Sequence, residues 1–212
     1  MGALNGTLTY TTYYVLDEPP AGFKERFLES LQKHAFREID VDAGKDRSIG
    51  WVRLGDVFDT ELPWDRVFVD PYVCMTLRED TIKVPPNALK AHLGKREKEH
   101  LRASGREKLG KGERAAIKAD VLLGLRRRAL PDIKSYDVVW NTVDASMRLW
   151  THNKRIKEVF EDLVRETWGL RIVPQAPYTA IVARGAPVGL DAAELEKRVL
   201  ELSPTDFTGR VD

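Results

Sequence analysis

Apolar and polar positions recur in patterns that predict strands and one helix over the first eighty residues. Residues 7–16 are rich in Thr, Tyr and Val, which is typical of a strand. Apolar side chains recur at four-residue steps over 22–37 and predict a helix. Two more strands are expected at 48–54 and 66–77, and apolar and polar residues alternate over the second of them. The predicted order is therefore β-α-β-β.

The last third of the chain combines the same kinds of element in a different order. The predicted elements are strand 135–141, strand 147–151, helix 153–168, strand 170–183 and helix 191–202. The helix at 153–168 has the clearest apolar stripe. Asn153 is expected to cap it, because an asparagine side chain accepts hydrogen bonds from free N–H groups of the first turn. The predicted order is β-β-α-β, followed by the last helix.

Two more helices are predicted between these parts. The first spans 87–103, with Asn87 as its cap, and contains few apolar residues, so most of its surface must face water or a partner. A glycine-rich turn at 104–112 joins it to a second helix at 113–130, which Pro131 ends.

These patterns predict an α+β fold. It consists of two β-rich halves, β-α-β-β and β-β-α-β, with a basic two-helix insertion between them. The chain divides into an N-terminal part (1–82), a basic helical segment (83–134) and a C-terminal part (135–212), which together form one continuous unit.

Charge is distributed unevenly along the chain. The basic helical segment has fifteen Lys or Arg and six Asp or Glu, an excess of nine positive charges. The other residues carry an excess of eight negative charges. Because solubility is served by mixed charges over the whole surface, one basic segment indicates a polyanionic partner, of which nucleic acid is the commonest. The alternative is a solvated helical surface without a partner.

Twelve basic side chains of this segment are the candidate phosphate contacts. They are Lys95, Arg96, Lys98, Arg102, Arg106, Lys108, Lys111, Arg114, Lys118, Arg126, Arg127 and Arg128. No zinc finger or base-reading helical motif is recognisable, so we expect binding independent of base sequence, with affinity that falls steeply as salt rises. For the three consecutive arginines, the alternative is ion pairing with acidic residues of the fold.

Catalytic motifs are incomplete in the sequence. Residues 105–112 resemble a phosphate-binding loop, but Gly112 stands where the magnesium-binding hydroxyl belongs, so a turn is expected. Asp70, Glu79 and Asp80 could hold a nuclease metal only if the fold gathered them. We predict no catalytic residue, no metal site and no cofactor. A metal-dependent exonuclease and a module that binds an acidic protein remain the alternatives.

Five blocks of the sequence, in this order and spacing, point to a known family. They are GWV at 50–52, IKVP at 82–85, LLGLRRRAL at 122–130, the stretch 138–150, and LRIVP at 170–174. Together they resemble the bacterial recombination-associated protein RdgC family, which is also labelled putative exonuclease. The resemblance implies a cytoplasmic, nucleoid-associated homodimer that encircles duplex DNA, binds it with little sequence preference and limits the RecA recombinase.

The chain departs from that family at two places. Arg127 and Leu130 stand where family members have a proline and an aromatic residue, so this chain is expected to depend more on charge than on stacking. Family members are also longer after the block at 170–174. We therefore expect a shortened C-terminus here, and a closed ring does not follow from the resemblance.

Two further observations concern the location of the protein. No run of eighteen apolar residues occurs, so no membrane span is expected. Cys74 is the only cysteine, which fits a reducing cytoplasm, and its apolar neighbours predict a position in the core.

Overall fold

Strands from both halves of the chain belong to one antiparallel sheet. The computed structural model describes residues 2–4, 9–17, 23–176, 179, 194, 197–198 and 201. The elements are β1 (Thr11–Val15), α1 (Phe23–Lys33), β2 (Arg47–Arg53), α2 (Trp64–Val67), β3 (Phe68–Val69), β4 (Tyr72–Thr81), α3 (Pro86–Ser104), α4 (Lys111–Arg126), β5 (Asp132–Asn141), β6 (Ser146–Leu149), α5 (Lys154–Trp168) and β7 (Ile172–Pro174). The predicted α+β class is confirmed.

The sheet order interleaves the two ends of the chain. The strands follow one another as β2-β4-β5-β6-β1-β7, and β3 pairs with β4 at the margin. The longest ladder joins β4 to β5, from Tyr72 opposite Asn141 to Thr81 opposite Asp132. Helices α3 and α4 lie between these two paired strands in sequence. The helical pair therefore leaves the sheet and returns to it at the same end of one ladder.

The core lies between one face of the sheet and helices α1 and α5. Alternate strand residues such as Met75, Leu77 and Trp140 are buried on this face, because side chains point to opposite faces of a strand with period two. Helix α5 contributes a buried apolar stripe of Ile156, Phe160, Leu163 and Val164. Asn153 caps this helix as predicted, accepting a hydrogen bond from the Ile156 N–H at 3.4 Å.

A close crossing of two chain segments fixes the margin of the sheet at β2. After α1 the chain runs beside β2, where the Phe36 N–H donates to the Trp51 carbonyl at 2.8 Å and the Trp51 N–H donates to the His34 carbonyl at 3.0 Å. A Cβ atom at Gly50 would lie 2.4 Å from the Phe36 Cα. Only glycine lets the backbones approach this closely.

The strand predicted at 66–77 is wrong in its extent. Residues 64–67 form α2, a turn follows β3 at Pro71, and β4 continues to Thr81. The strand continues past the apolar alternation because Arg78 and Asp80, which are both buried, satisfy one another through two hydrogen bonds of 2.7 and 2.8 Å. Burial of charge is possible where such pairing replaces water.

The predicted helix ends also need correction. Asn87 is not a cap: α3 begins at Pro86, with Pro85 in the capping position and no side-chain cap. Proline suits the first helical position because its missing N–H would have no intrahelical partner there. Helix α4 ends at Arg126 and not at Leu130.

Cys74 was expected in the core, and that prediction is wrong. The thiol is partly buried on the sheet face away from α1 and α5, because its neighbours Val73 and Met75 take the core face. Burial raises the pKa of this thiol and keeps it protonated.

Some predictions fall on residues that the structure does not describe. These are the start of the strand at 7–16, the end of the strand at 170–183 and most of the helix at 191–202. Of the helices that are described, none has the length and apolar character that crossing a bilayer requires.

Candidate nucleic-acid interface

Helices α3 and α4 fold back on each other and form a helical pair with no buried residue in either helix. Arg114 of α4 contacts Glu97 of α3 at 3.6 Å. A shallow groove between the helices is lined by Arg96, Glu99, His100 and Ala103 of α3 and by Ala116, Ile117 and Asp120 of α4. The apolar side chains of both helices are at most half-buried, and most of the polar side chains are exposed, so the pair presents a polar surface to solvent.

The turn that joins the two helices is closed by its own carboxylate. Gly105 ends α3 in the left-handed conformation, with φ of 63°. The Glu113 carboxylate accepts from the Gly110 N–H at 2.9 Å and from Arg106. These contacts hold the pKa of Glu113 below its usual range, the backbone N–H first and the guanidinium second. Glu113 thus occupies the Gly110 N–H, a donor that a bound phosphate would need. The residues that resemble a phosphate-binding loop therefore form a turn between two helices.

One face of α3 is basic over its whole length. Lys90, Lys95 and Lys98 line a shallow depression together with Asn87, Ala91 and Gly94. Arg102 continues the row one turn later, at the same four-residue step that separates Lys98 from Gly94. We call Lys90, Lys95, Lys98 and Arg102 the α3 basic face. All four are exposed, and by helical periodicity they lie on the side of α3 away from the groove.

Lys90 was not among the predicted contacts. Its separation from Lys98 and Arg102 by multiples of four residues is the signal that could have identified it, since residues four apart share one face of a helix.

Three predicted contacts are paired with acids inside the helical pair. Arg96 contacts Glu99 at 3.4 Å, Arg106 contacts Glu113 at 2.5 Å, and Arg114 contacts Glu97. Exposed pairs of this kind contribute about 0–1 kcal/mol. They do not prevent contact with a phosphate, but they reduce the local positive charge that is available to it.

The three consecutive arginines have different surroundings. Arg127 contacts Asp42 at 2.7 Å, and Arg126 contacts Asp46 at 3.1 Å and the Gly44 carbonyl at 3.3 Å. Arg128 is exposed, and its side chain has no partner among the described residues. The ion-pair alternative therefore applies to two of the three arginines.

The remaining predicted contacts share two properties: they are exposed, and within the described part of the chain they contact no carboxylate. They are Lys95, Lys98, Arg102, Lys108, Lys111, Lys118 and Arg128. The segment 83–134 contains no Phe, Tyr or Trp, so it offers no large aromatic ring as a stacking platform for an unpaired base, and its only aromatic rings are the imidazoles of His92 and His100. Its chemistry is that of a cationic surface.

The acidic residues considered for a nuclease site are not brought together. Glu79 is 1 % exposed and accepts from Arg47 at 2.6 Å and from Arg155 at 2.6 and 2.7 Å. Asp80 points to the opposite face and pairs with Arg78. Asp70 lies at the other end of β4. Within the described ranges, no three His, Cys, Asp or Glu residues are grouped as metal ligands would be.

The two arginines determine the ionisation of Glu79. They hold its pKa below the usual range, with the hydrogen bonds from Arg155 as the largest cause. The Glu79 carboxylate is thus ionised and held in structural ion pairs with Arg47 and Arg155.

Two comparisons with known proteins identified no relative of this chain. Neither a scan against protein-family models nor a search of the curated proteins finds a match for this chain. The argument for DNA binding therefore rests on the geometry of the helical pair.

Proposed function

We propose that the protein binds duplex DNA without sequence preference, through the α3 basic face and the unpaired cations beside it. The observation that carries the proposal is the row of exposed cations on one face of α3, none of which contacts a carboxylate in the described residues. Such side chains can neutralise phosphates without first giving up an internal partner.

The dimensions of the α3 basic face suit a duplex. Lys90 and Lys98 are eight residues apart, about 12 Å along a helix axis. The major groove of B-DNA is also about 12 Å wide, so Lys90 and Lys98 can reach phosphates on its two sides, and Arg102 extends the face by one further turn. Lysine is a flexible point charge that contacts phosphate at many angles, which favours backbone binding over base readout.

A role in the bacterial nucleoid is the second part of the proposal. It is supported by the five ordered blocks that resemble RdgC proteins, and it includes modulation of homologous recombination, restraint of the RecA recombinase and assembly as a homodimer in the cytoplasm. DNA binding can be tested independently of these biological roles.

The test compares two triple variants that each remove three positive charges from the helical pair. Lys95→Gln, Lys98→Gln and Arg102→Gln change unpaired residues of the α3 basic face. Arg96→Gln, Arg106→Gln and Arg114→Gln change residues that are paired with acids. Retardation of a labelled duplex is measured between 50 and 200 mM salt, with and without magnesium.

We expect the first variant to reduce the slope of log affinity against log salt by about 2 to 3, since each phosphate contact contributes about 0.9. The second variant should reduce it by less than about 1. Equal slopes for the wild type and the first variant would overturn the proposed surface. Binding to poly-glutamate that is tighter than binding to DNA would favour the acidic-protein alternative, and magnesium-dependent loss of the duplex would favour the nuclease.

A further inference from the structure

The acidic loop at residues 40–46 contacts the helical pair at both of its junctions with the sheet. The Asp46 carbonyl accepts from the Ile82 N–H at 2.8 Å, shortly before α3 begins. The Asp46 carboxylate contacts Arg126 at the end of α4. Asp42 accepts from the Arg127 Nε at 2.9 Å and contacts its Nη2 at 2.7 Å. Two carboxylates thus occupy two guanidinium groups of the basic segment.

We propose that Asp42 and Asp46 act as an internal competitor for the proposed DNA interface, and that DNA binding displaces the loop from Arg126 and Arg127. The inference rests on the proposed function and adds to its surface Arg126 and Arg127, which are not part of the α3 basic face. In the free protein the two arginines donate to carboxylates, and in the complex they donate to phosphates.

Exposure makes this exchange feasible. The Arg127 and Asp42 side chains are 58 % and 70 % exposed, and Asp46 is 59 % exposed beside Arg126 at 22 %, so the exchange is freest at Arg127. Exposed ion pairs are weak because water and salt screen them. When an arginine binds a DNA phosphate instead, counterions condensed on the DNA are released. This release favours the exchange at low salt. The lost pairs are subtracted from the binding free energy, so the loop lowers the affinity for DNA.

Two acidic residues immediately before the competing pair provide a matched control. Asp40 accepts from the Ala43 N–H at 3.0 Å, and no arginine of the described ranges contacts it. Glu38 is exposed, and its carboxylate has no hydrogen-bond or ion-pair partner among the described residues. Replacing Glu38 and Asp40 removes the same charge from the same region without freeing an arginine.

The experiment measures duplex affinity for Asp42→Asn with Asp46→Asn, and for the control Glu38→Gln with Asp40→Asn. We expect the first variant to bind about 4- to 20-fold more tightly than the wild type, corresponding to two weak ion pairs that no longer have to be broken. The control should change affinity less than about twofold, through general electrostatics alone.

A second comparison assigns the effect to the two arginines. When Arg126 and Arg127 are both replaced by Gln, the aspartates have no ion pair left to lose. The substitutions Asp42→Asn and Asp46→Asn should then change DNA affinity no more than the control does, which is the non-additivity expected of residues in direct contact. The proposal would be overturned if the Asp42 and Asp46 variant bound DNA no more tightly than the Glu38 and Asp40 control. It would also be overturned if the gain in affinity persisted after both arginines were replaced. If the wild type does not bind duplex DNA, the proposed function itself fails.

Discussion

Glu79 is a buried carboxylate held by arginines from two different elements. Arg47 comes from β2 and Arg155 from the first turn of α5, so this residue joins the sheet to a core helix. Removing one partner of a buried pair leaves uncompensated charge, which is costly. At the scale of the single residue, Glu79 is therefore the position where we expect a substitution to affect stability most directly.

We expect Glu79→Gln to lower the free energy of unfolding by about 2–3 kcal/mol at neutral pH. Urea unfolding measures this change. Glu158→Gln, an exposed position on α5, the helix that carries Arg155, is the control and should change stability by less than about 0.5 kcal/mol. Equal effects of the two substitutions would contradict a structural role for the Glu79 ion pairs.

The same variant has a defined pH dependence. Because the pKa of Glu79 is lower in the folded state than its ordinary value of 4.5, its contribution to stability is present above that value and is lost as pH falls through the lowered pKa. The difference in unfolding free energy between wild type and Glu79→Gln should therefore shrink below about pH 4.5. A difference that stays constant to pH 2 would contradict this assignment.

At this scale, the sequence predicts which residues carry charge but not which charges are paired. Lys98 and Arg127 both lie in the basic segment, but within the part of the chain that the structure describes only Arg127 has an acidic partner, Asp42, which is 85 residues away in sequence. Such pairing depends on tertiary structure, so the spacing of neighbouring residues in the sequence cannot predict it.

Among the elements, the helical pair depends least on the core. Neither α3 nor α4 buries a residue, and the strands on either side of it end opposite each other at Thr81 and Asp132. We therefore expect that residues 82–131 can be replaced by an Asn-Gly turn, which suits a two-residue connection between antiparallel strands.

The shortened protein should unfold cooperatively, as followed by circular dichroism and urea denaturation, and should no longer retard duplex DNA. If the shortened protein instead kept wild-type affinity for DNA, the binding surface would lie outside the helical pair. Loss of cooperative unfolding would show that the helices contribute to the core.

Elements with a strong local pattern were predictable, and those stabilised by distant contacts were not. The stripe of Ile156, Phe160 and Leu163 predicts α5 correctly because burial on one face has a helical period. The far half of β4 has no such pattern, since Arg78 and Asp80 are buried as an ion pair. Its length follows from pairing with β2 and β5.

At the scale of the whole molecule, the cationic surface predicts binding that ignores base sequence. Affinities for unrelated duplexes of equal length should agree within about tenfold, because phosphate contacts carry no sequence information. Competition assays with several unlabelled duplexes measure this ratio. A preference above about a thousandfold, the lower end for specific regulators, would contradict it.

The sequence predicts the fold class, but the arrangement of the sheet requires the structure. Strand β1 lies between β6 and β7, so the first strand is enclosed by strands from the other end of the chain. Alternation indicates which face of a strand is buried, yet it contains no information about the neighbouring strand. Likewise, Gly50 gives no sign in sequence that Phe36 passes against its backbone.

The absence of Phe, Tyr and Trp from segment 83–134 has a spectroscopic consequence. All five tryptophans lie outside it, at positions 51, 64, 140, 150 and 168. Intrinsic tryptophan emission therefore reports on the sheet and its core helices, whereas far-ultraviolet ellipticity also includes α3 and α4. A single tryptophan introduced at Ala91, beside the α3 basic face, would give an optical signal for ligand contact at that helix.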